Sequence, residues 1–338
     1  MRVLITGGLG FLGSITAAVL HDNGFTPIII DNLANSSLEV LDELQRIVGS
    51  PVKCHIGSID DSSFIRGVLL RELPSLVIHF AGDKSVAESV AFPLGYYANN
   101  VGGTLSLLQV MAEVGVRHIV FSSSAAVYGV QERSPISEWA SRMPASPYGR
   151  TKAMVEDVLE DLCRAGTIDS AVALRYFNPV GAHSSGVLGE NPIVSHGNLM
   201  PAVVKVARGE ARYLDVFGAD YPTPDGTCVR DYVHVMDVAE GHVMAAQYAM
   251  THAGYAAANL GTGRGVSVME LLQVFAGATG VPVAFRMRER RPGDVAELYA
   301  DVGRSEALFG WKATRSLEAM CRDAWQFALA HHGHAGQL

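Results

Sequence analysis

Cysteine is scarce in this chain and widely scattered. Cys54, Cys163, Cys228 and Cys321 form no Cys-x-x-Cys pair, which argues against a disulfide framework or a zinc site and leads us to expect reduced thiols in a cytoplasmic protein. No charge-free apolar run approaches the roughly 18 residues that a membrane span needs. The chain opens directly on a strand pattern, without a charged segment leading into an apolar one, so no signal peptide is expected. Basic residues are also in the minority: 26 Lys and Arg stand against 34 Asp and Glu, for a net charge of −8. That balance argues against nucleic acid as the main partner, while local arginines can still hold a small anionic ligand. The 12 histidines include no His-Glu-x-x-His spacing, so no catalytic metal is expected. The run His331-His332-Gly333-His334 reads as a polar tail. There is no internal repeat and no low-complexity tract.

What is present is ample core material. Apolar residues make up 49% of 338 and charged residues only 18%. The length suits about two domains, or one large domain with a smaller lobe. Short apolar runs predict strands at 3–6, 27–31, 52–55, 76–80, 119–123 and 171–175. Continuous Ile and Val runs, as at Ile28-Ile29-Ile30, suit strands buried on both faces of a parallel sheet. Helical patterns at 13–23 and 103–114 lie between them. The alternation predicts an α/β, Rossmann-type doubly wound parallel sheet with a smaller C-terminal α/β lobe for substrate. The division expected is 1–177 for dinucleotide binding, with later segments returning to it, and 178–338 mainly for substrate.

Two local patterns carry chemistry. The glycine loop Thr6-Gly7-Gly8-Leu9-Gly10-Phe11-Leu12-Gly13 follows a predicted strand and opens a predicted helix. Glycines there permit a tight turn and close approach of a pyrophosphate to the helix N-terminus. Asp31 ends the next strand, where a carboxylate accepts ribose hydroxyls and disfavours a 2′-phosphate, so NAD is expected over NADP. A Walker A loop is excluded because no Gly-Lys-Ser/Thr follows.

The second pattern is Tyr148-Gly149-Arg150-Thr151-Lys152 at the start of a helix predicted over 147–166, with Met154, Val155, Val158, Leu159 and Leu162 as its apolar stripe and Lys152 off that stripe. Residues four apart share a helix face, so the Lys152 ammonium can favour the Tyr148 phenolate, a base able to take a hydroxyl proton while a hydride leaves the same carbon. Ser122-Ser123-Ser124 ends a predicted strand, where a hydroxyl can relay that proton. A serine nucleophile is not expected, since no Gly-x-Ser-x-Gly is present.

In order along the chain stand TGGLGFLG (6–13), DNLANS (31–36), HFAGDKSVAES (79–89), FSSSAAVYG (121–129), SPYGRTK (146–152), LRYFNPVGAH (174–183), NLMP (198–201) and VRDYVHVMD (229–237). From residue 1 to about 330 the chain resembles the UDP-glucose 4-epimerases, a family of extended short-chain dehydrogenases. The resemblance implies an NAD-dependent isomerase of nucleotide sugars that inverts C4 of a UDP-hexose through a 4-keto intermediate. It makes Tyr148 the base, Lys152 its tuner and ribose anchor, and Ser124 the hydroxyl relay. It implies NAD contacts at Gly7, Gly10, Phe11, Leu12, Gly13, Asp31, Asn32, Asn35, Ser36, Ser58, Ile59, Phe80, Ala81, Lys84, Asn99, Tyr148, Lys152 and Phe177. It implies UDP-sugar contacts at Ser124, Tyr148, Asn178, Asn198, Leu199, Arg230, Arg291, Asp294 and Leu298. A homodimer joined by helices near 92–114 and 148–166 is also implied.

Three positions depart from the family pattern. Ser58 stands where the family usually has an adenine-binding aspartate, Ala126 replaces a threonine near the sugar, and Leu298 falls at the gate of the sugar pocket, where its intermediate size leaves glucose/galactose, N-acetyl sugars, pentoses and uronates open. A related 4,6-dehydratase or decarboxylase is disfavoured because Ala125-Ala126 follow Ser124, leaving no acid for elimination. A non-catalytic NAD-binding scaffold is disfavoured because the Tyr/Lys pair is intact.

Overall fold

The computed structural model describes residues 1–131, 133–190, 198–291 and 294–331. Its centre is a seven-stranded sheet. The strands are β1 (Arg2–Thr6), β2 (Thr26–Asp31), β3 (Lys53–Ile56), β4 (Leu76–His79), β5 (His118–Ser124), β6 (Ser170–Tyr176) and β7 (Gly254–Leu260). They lie in the order β7-β6-β5-β4-β1-β2-β3, and every neighbouring pair is parallel. Six were expected from apolar runs, with ends shifted by a residue or two. The seventh, Gly254-Tyr255-Ala256-Ala257-Ala258-Asn259-Leu260, lacks β-branched residues, so local propensity hid it.

Alternation sends neighbouring residues to opposite faces. Val3, Ile5, Ile29 and Val120 join one core with the helices Phe11–Asp22 and Val235–Ala249. Leu4, Ile28, Ile30, Ile119 and Phe121 join another, with the helices Ser62–Glu72, Thr104–Val114 and Pro147–Arg164. A third core, built on Val203, Val216, Leu271, Phe275 and Met320, belongs to the later part of the chain. There the helices Leu199–Ala207, Val268–Thr279 and Leu317–Ala330 pack with the parallel pair Leu214–Phe217 and Phe285–Arg288. Among the described residues no helix is long and apolar enough to cross a membrane. At the end of the last helix His331 Nδ1 donates to the Phe327 carbonyl at 2.9 Å, while His332 and His334 lie outside the described residues.

Two helices differ from expectation. A π-helical turn, Tyr97–Gly103, precedes Thr104–Val114, and such turns cluster at functional sites. In Pro147–Arg164 the buried face is rotated from the expected stripe: Met154 is 44% exposed, whereas Lys152 and Glu156 are buried beside Val155 and Leu159. Polar side chains can take core positions only when partnered, and both are.

Two buried histidines tie the sheet to its helices. His79 sits between the Thr6 and Thr104 hydroxyls at 2.6 and 2.8 Å, and burial drives its pKa from 6.5 to about 3. His242 Nδ1 donates to the Val238 carbonyl at 2.9 Å, leaving Nε2 to accept from the Tyr176 phenol, and burial lowers its pKa to about 4. Both stay neutral in the folded chain and gain a proton on unfolding below pH 6.5. Their stabilisation is therefore present above that value and lost as pH falls towards 4. Urea unfolding at pH 7 and pH 5 should show a loss of roughly 3 kcal/mol; equal stability at the two values would contradict it.

Candidate functional site

In an open parallel sheet, ligands bind beyond the C-terminal strand ends where the strand order reverses. Here that point lies between β1 and β4, with β2 on the other side of β1. The chain leaves β1 at Thr6 into Gly7, whose φ is +66° and whose added Cβ would stand 2.8 Å from the Ala81 nitrogen. A Cβ on Gly13 would come within 2.2 Å of the Gly7 carbonyl oxygen. Only glycine permits this loop to fold so tightly. It delivers the helix Phe11–Asp22 with Gly10 at its N-cap and no side chain capping it. Free N–H groups and the positive end of the helix dipole thus face the strand ends, which fits a dinucleotide pyrophosphate.

Asp31, at the end of β2, is buried and binds that loop to the next. It accepts from the Leu9 N–H at 3.0 Å, the Leu33 N–H at 2.9 Å and the Ser36 hydroxyl at 2.7 Å. Asn32 accepts from the Ala34 N–H, and both Asn32 and Asn35 are exposed at the rim. Ser58 is half-buried after β3, and Ile59 is buried in the core under Gly103. Phe80 is half-buried against the His242 ring, and Phe11 and Leu12 are half-exposed at the helix start. Asn99, on the π-turn, donates to Asp83 at 2.9 Å.

The Tyr/Lys pair stands at the end of β5. Ser146 caps the helix by accepting from the Gly149 N–H at 3.1 Å, with Pro147 at its first turn, so Tyr148 and Lys152 lie one turn apart facing the strand. Lys152 Nζ donates to the Ser122 carbonyl at 2.7 Å and sits 4.8 Å from the Phe121 ring centre and 5.9 Å from that of Tyr148. Burial lowers the Lys152 pKa to about 8, and the Glu156 carboxylate opposes that shift. Burial raises the Tyr148 pKa, and a hydrogen bond from Ser124 opposes it. In the chain alone, then, burial of the phenol dominates; the bias towards phenolate is expected with the ammonium and a bound cofactor together.

The residues singled out in the later part of the chain gather around two short strands. Val229–Arg230 pairs in parallel with Glu297–Leu298, so Arg230 and Leu298 are register partners. The Arg230 guanidinium lies 3.6 Å from Asp294, whose N–H donates to the Arg291 carbonyl at 3.2 Å. Arg291 covers the Phe217 ring at 3.8 Å. Leu298 packs beside the cluster of Ala125, Tyr128 and Phe177. Asn178 donates to the Asp231 carbonyl at 2.9 Å. Asn198 and Lys84 both donate to Glu190 at 2.9 Å, which draws the NLMP segment towards the loop after β4; Leu199 begins the helix beside it.

Asp231, Glu190 and Phe217 were not singled out from sequence. Asp231 is fully buried and accepts from the N–H groups of Thr262, Gly263 and Ala300 and from the Thr262 hydroxyl, fixing the loops that carry Arg230 and Leu298. Its place inside VRDYVHVMD was the only available signal.

A family model described as GDP-mannose 4,6 dehydratase matches residues 4–324. UDP-glucose 4-epimerase from Bacillus subtilis is 47% identical over 327 residues, covering 97% of this chain and 96% of the relative. The chain belongs to the UDP-glucose 4-epimerase family, within the extended short-chain dehydrogenases. Among solved structures, the epimerase from Stenotrophomonas maltophila with bound NAD and formylated UDP-arabinopyranose superposes with a TM-score of 0.96 at 45% identity, each chain covered to 98%. The Bifidobacterium longum epimerase in complex with NAD+ and UDP gives 0.94 at 43% identity, covering 98% of this chain and 99% of the other. Although the family model carries the dehydratase name, Ser124 here is followed by Ala125 and Ala126, with no acid for an elimination.

Replacing Asp31 by Ala should free the glycine loop. Amide exchange at Leu9 and Leu33 is expected to quicken about tenfold, the kinetic equivalent of one lost hydrogen bond of roughly 1.4 kcal/mol. Unchanged protection would show that the loop holds itself.

Proposed function

We propose that this chain is an NAD-dependent UDP-hexose 4-epimerase that interconverts UDP-glucose and UDP-galactose. The reading is carried by Lys152 beside the Tyr148 ring and the Ser122 carbonyl, together with the uncapped glycine-loop helix after β1 and the Arg230, Asp294 and Arg291 group, whose register partner Leu298 packs beside Ala125 and Phe177. Residues 1–177 form most of the cofactor half and residues 178–338 most of the substrate half.

The glycine loop and helix Phe11–Asp22 hold the pyrophosphate of the cofactor, and Asp31 receives the adenosine ribose. Bound NAD supplies a hydride acceptor whose positive nicotinamide adds the charge that favours a Tyr148 phenolate. Lys152 holds the nicotinamide ribose and keeps a second positive charge near the phenol. Tyr148 then takes the proton of the sugar 4-hydroxyl, directly or through Ser124. Arg230 and Arg291 grip the diphosphate, which suits guanidinium donors, while Asn178 and Asn198 border the sugar and uridine. With binding concentrated in the UDP, the 4-keto sugar is free to turn and offer its other face before Tyr148 returns the proton.

Leu298 packs beside Phe177 and Tyr128, which supports the reading that it sets the width of the sugar end. Ala126 leaves that wall one hydroxyl short. A homodimer is supported by the exposed apolar residues Val90, Phe92, Leu94, Leu105 and Met154, 44 to 83% exposed, near or on the helices expected to join two copies. We also propose a cytoplasmic location, with which the four free cysteines are consistent.

Tyr148→Phe should lower kcat by about three orders of magnitude with little change in UDP binding measured by calorimetry; near-normal turnover would remove Tyr148 as the base. Leu298→Tyr should narrow the pocket and depress turnover of UDP-N-acetylgalactosamine relative to UDP-galactose by at least about tenfold. An unchanged ratio in competition assays would place the gate elsewhere.

A further inference from the structure

Three consecutive serines at the end of β5 engage three residues spaced one turn apart on helix Pro147–Arg164. Ser124 acts on the Tyr148 phenol, opposing the rise of its pKa, the Ser122 carbonyl accepts from Lys152, and the Ser123 hydroxyl donates to Glu156 at 2.5 Å. The first two contacts belong to the reacting pair. The third touches neither substrate nor cofactor in the reading above, yet it lies deepest, with Glu156 fully buried.

Glu156 is fully satisfied. Its Oε1 receives Ser123 and Arg175 Nε, the latter at 3.0 Å; its Oε2 receives Arg175 Nη2 at 2.6 Å and Arg142 Nη1 at 3.1 Å. Arg175, on β6 and itself 3% exposed, also donates to the Tyr128 hydroxyl at 2.9 Å and the Glu138 carbonyl at 3.1 Å. Arg142 extends to Asp157. A buried ion pair of this kind adds little stability over apolar residues of the same volume. It does, however, place a fixed negative charge one turn from a buried ammonium.

We propose that Glu156 is a positioning residue for the Tyr148/Lys152 pair: clamped to the sheet by Arg175 and Ser123, its carboxylate holds the helix in register with β5 and keeps the buried Lys152 protonated. The groups facing Lys152 from its surroundings are Tyr148 and Glu156 on its own helix, the Ser122 carbonyl and Phe121 ring on β5, and His79 on β4, which feels the ammonium. His79 is neutral at any working pH, so among the described residues Glu156 is the only anion of this set. Glu156 itself faces Arg175, Arg142, Ser123 and, from β7, Tyr255. Removing the carboxylate withdraws the one charge that offsets the desolvation of the ammonium, so Lys152 loses its proton at lower pH.

The inference rests on the epimerase reading for its consequence in catalysis, but its physical content can be measured without turnover. The protein is labelled with ¹³C at lysine Cε, the Lys152 signal is identified by its disappearance in Lys152→Arg, and its titration is followed in wild type, in Glu156→Gln and in the double variant Glu156→Leu/Arg175→Met. The double variant removes both charges and avoids leaving Arg175 buried alone. The expected result is a wild-type midpoint near 8, as burial against Glu156 implies, and a fall on the order of one pH unit in either folded variant. The alkaline limb of kcat should move down by the same amount, with KM little changed. A wild-type midpoint below about 7, or an unmoved midpoint in either folded variant, overturns the proposal. Absence of epimerase activity in the wild type would sink the functional reading and leave the titration interpretable.

Discussion

The Lys152 ammonium is buried in a sheet protein's interior, and the arrangement of the reactive end follows from making that burial tolerable. A buried cation needs hydrogen-bond acceptors and a compensating anion. The acceptor is the carbonyl of Ser122, which lies just past Phe121, the last residue of β5 paired with β4. The anion is Glu156, one turn along the same helix, and it is answered by Arg175 from β6 and by Arg142. The Phe121 ring face closes the remaining side. The parallel sheet supplies the strand ends, and the cap at Ser146 fixes where the helix begins against them.

Two groups of loops, those proposed to hold cofactor and substrate, are organised by a common device. Each is a set of loops tied to a single buried carboxylate whose oxygens accept backbone N–H groups. Asp31 does this for the glycine loop and the turn after β2, and Asp231 does it for the loops around Arg230 and Leu298. Burial raises the pKa of Asp231 and its hydrogen bonds offset only part of that rise, so the group is held by donors in place of water. Loops fixed in this way lose little entropy when a ligand arrives, which suits a site that must grip a nucleotide firmly and leave the attached sugar room to turn. Glu190 links the halves, since it accepts from Lys84 on one and Asn198 on the other.

Local signals made much of this readable from sequence. Ile28-Ile29-Ile30 has no plausible home except a strand covered on both faces, and the glycine loop followed by Asp31 reads as a dinucleotide turn because each residue type answers a steric or electrostatic need nearby. The strand Gly254–Leu260 was not readable, since alanine carries little strand propensity and the pairing with β6 that makes it a strand is long-range. The rotated face of helix Pro147–Arg164 was missed for a related reason. Apolar periodicity points to Met154, but Lys152 and Glu156 are buried because Ser122, Arg142 and Arg175 meet them, partners that are far off along the chain or on other elements. Asp231 is equally non-local. The opposed effects on Tyr148 were hidden too, because burial is a property of the fold and not of the Tyr-x-x-x-Lys spacing.

The central claim is that a hydride leaves C4 of the sugar and returns to the same carbon on its other face, inside one closed site. It is tested most directly by incubating the purified protein, without added NAD, with UDP-galactose carrying deuterium at C4 and examining the product by NMR. The account predicts UDP-glucose with the deuterium retained at C4 and no accumulation of reduced cofactor. Deuterium lost to solvent during conversion would contradict it.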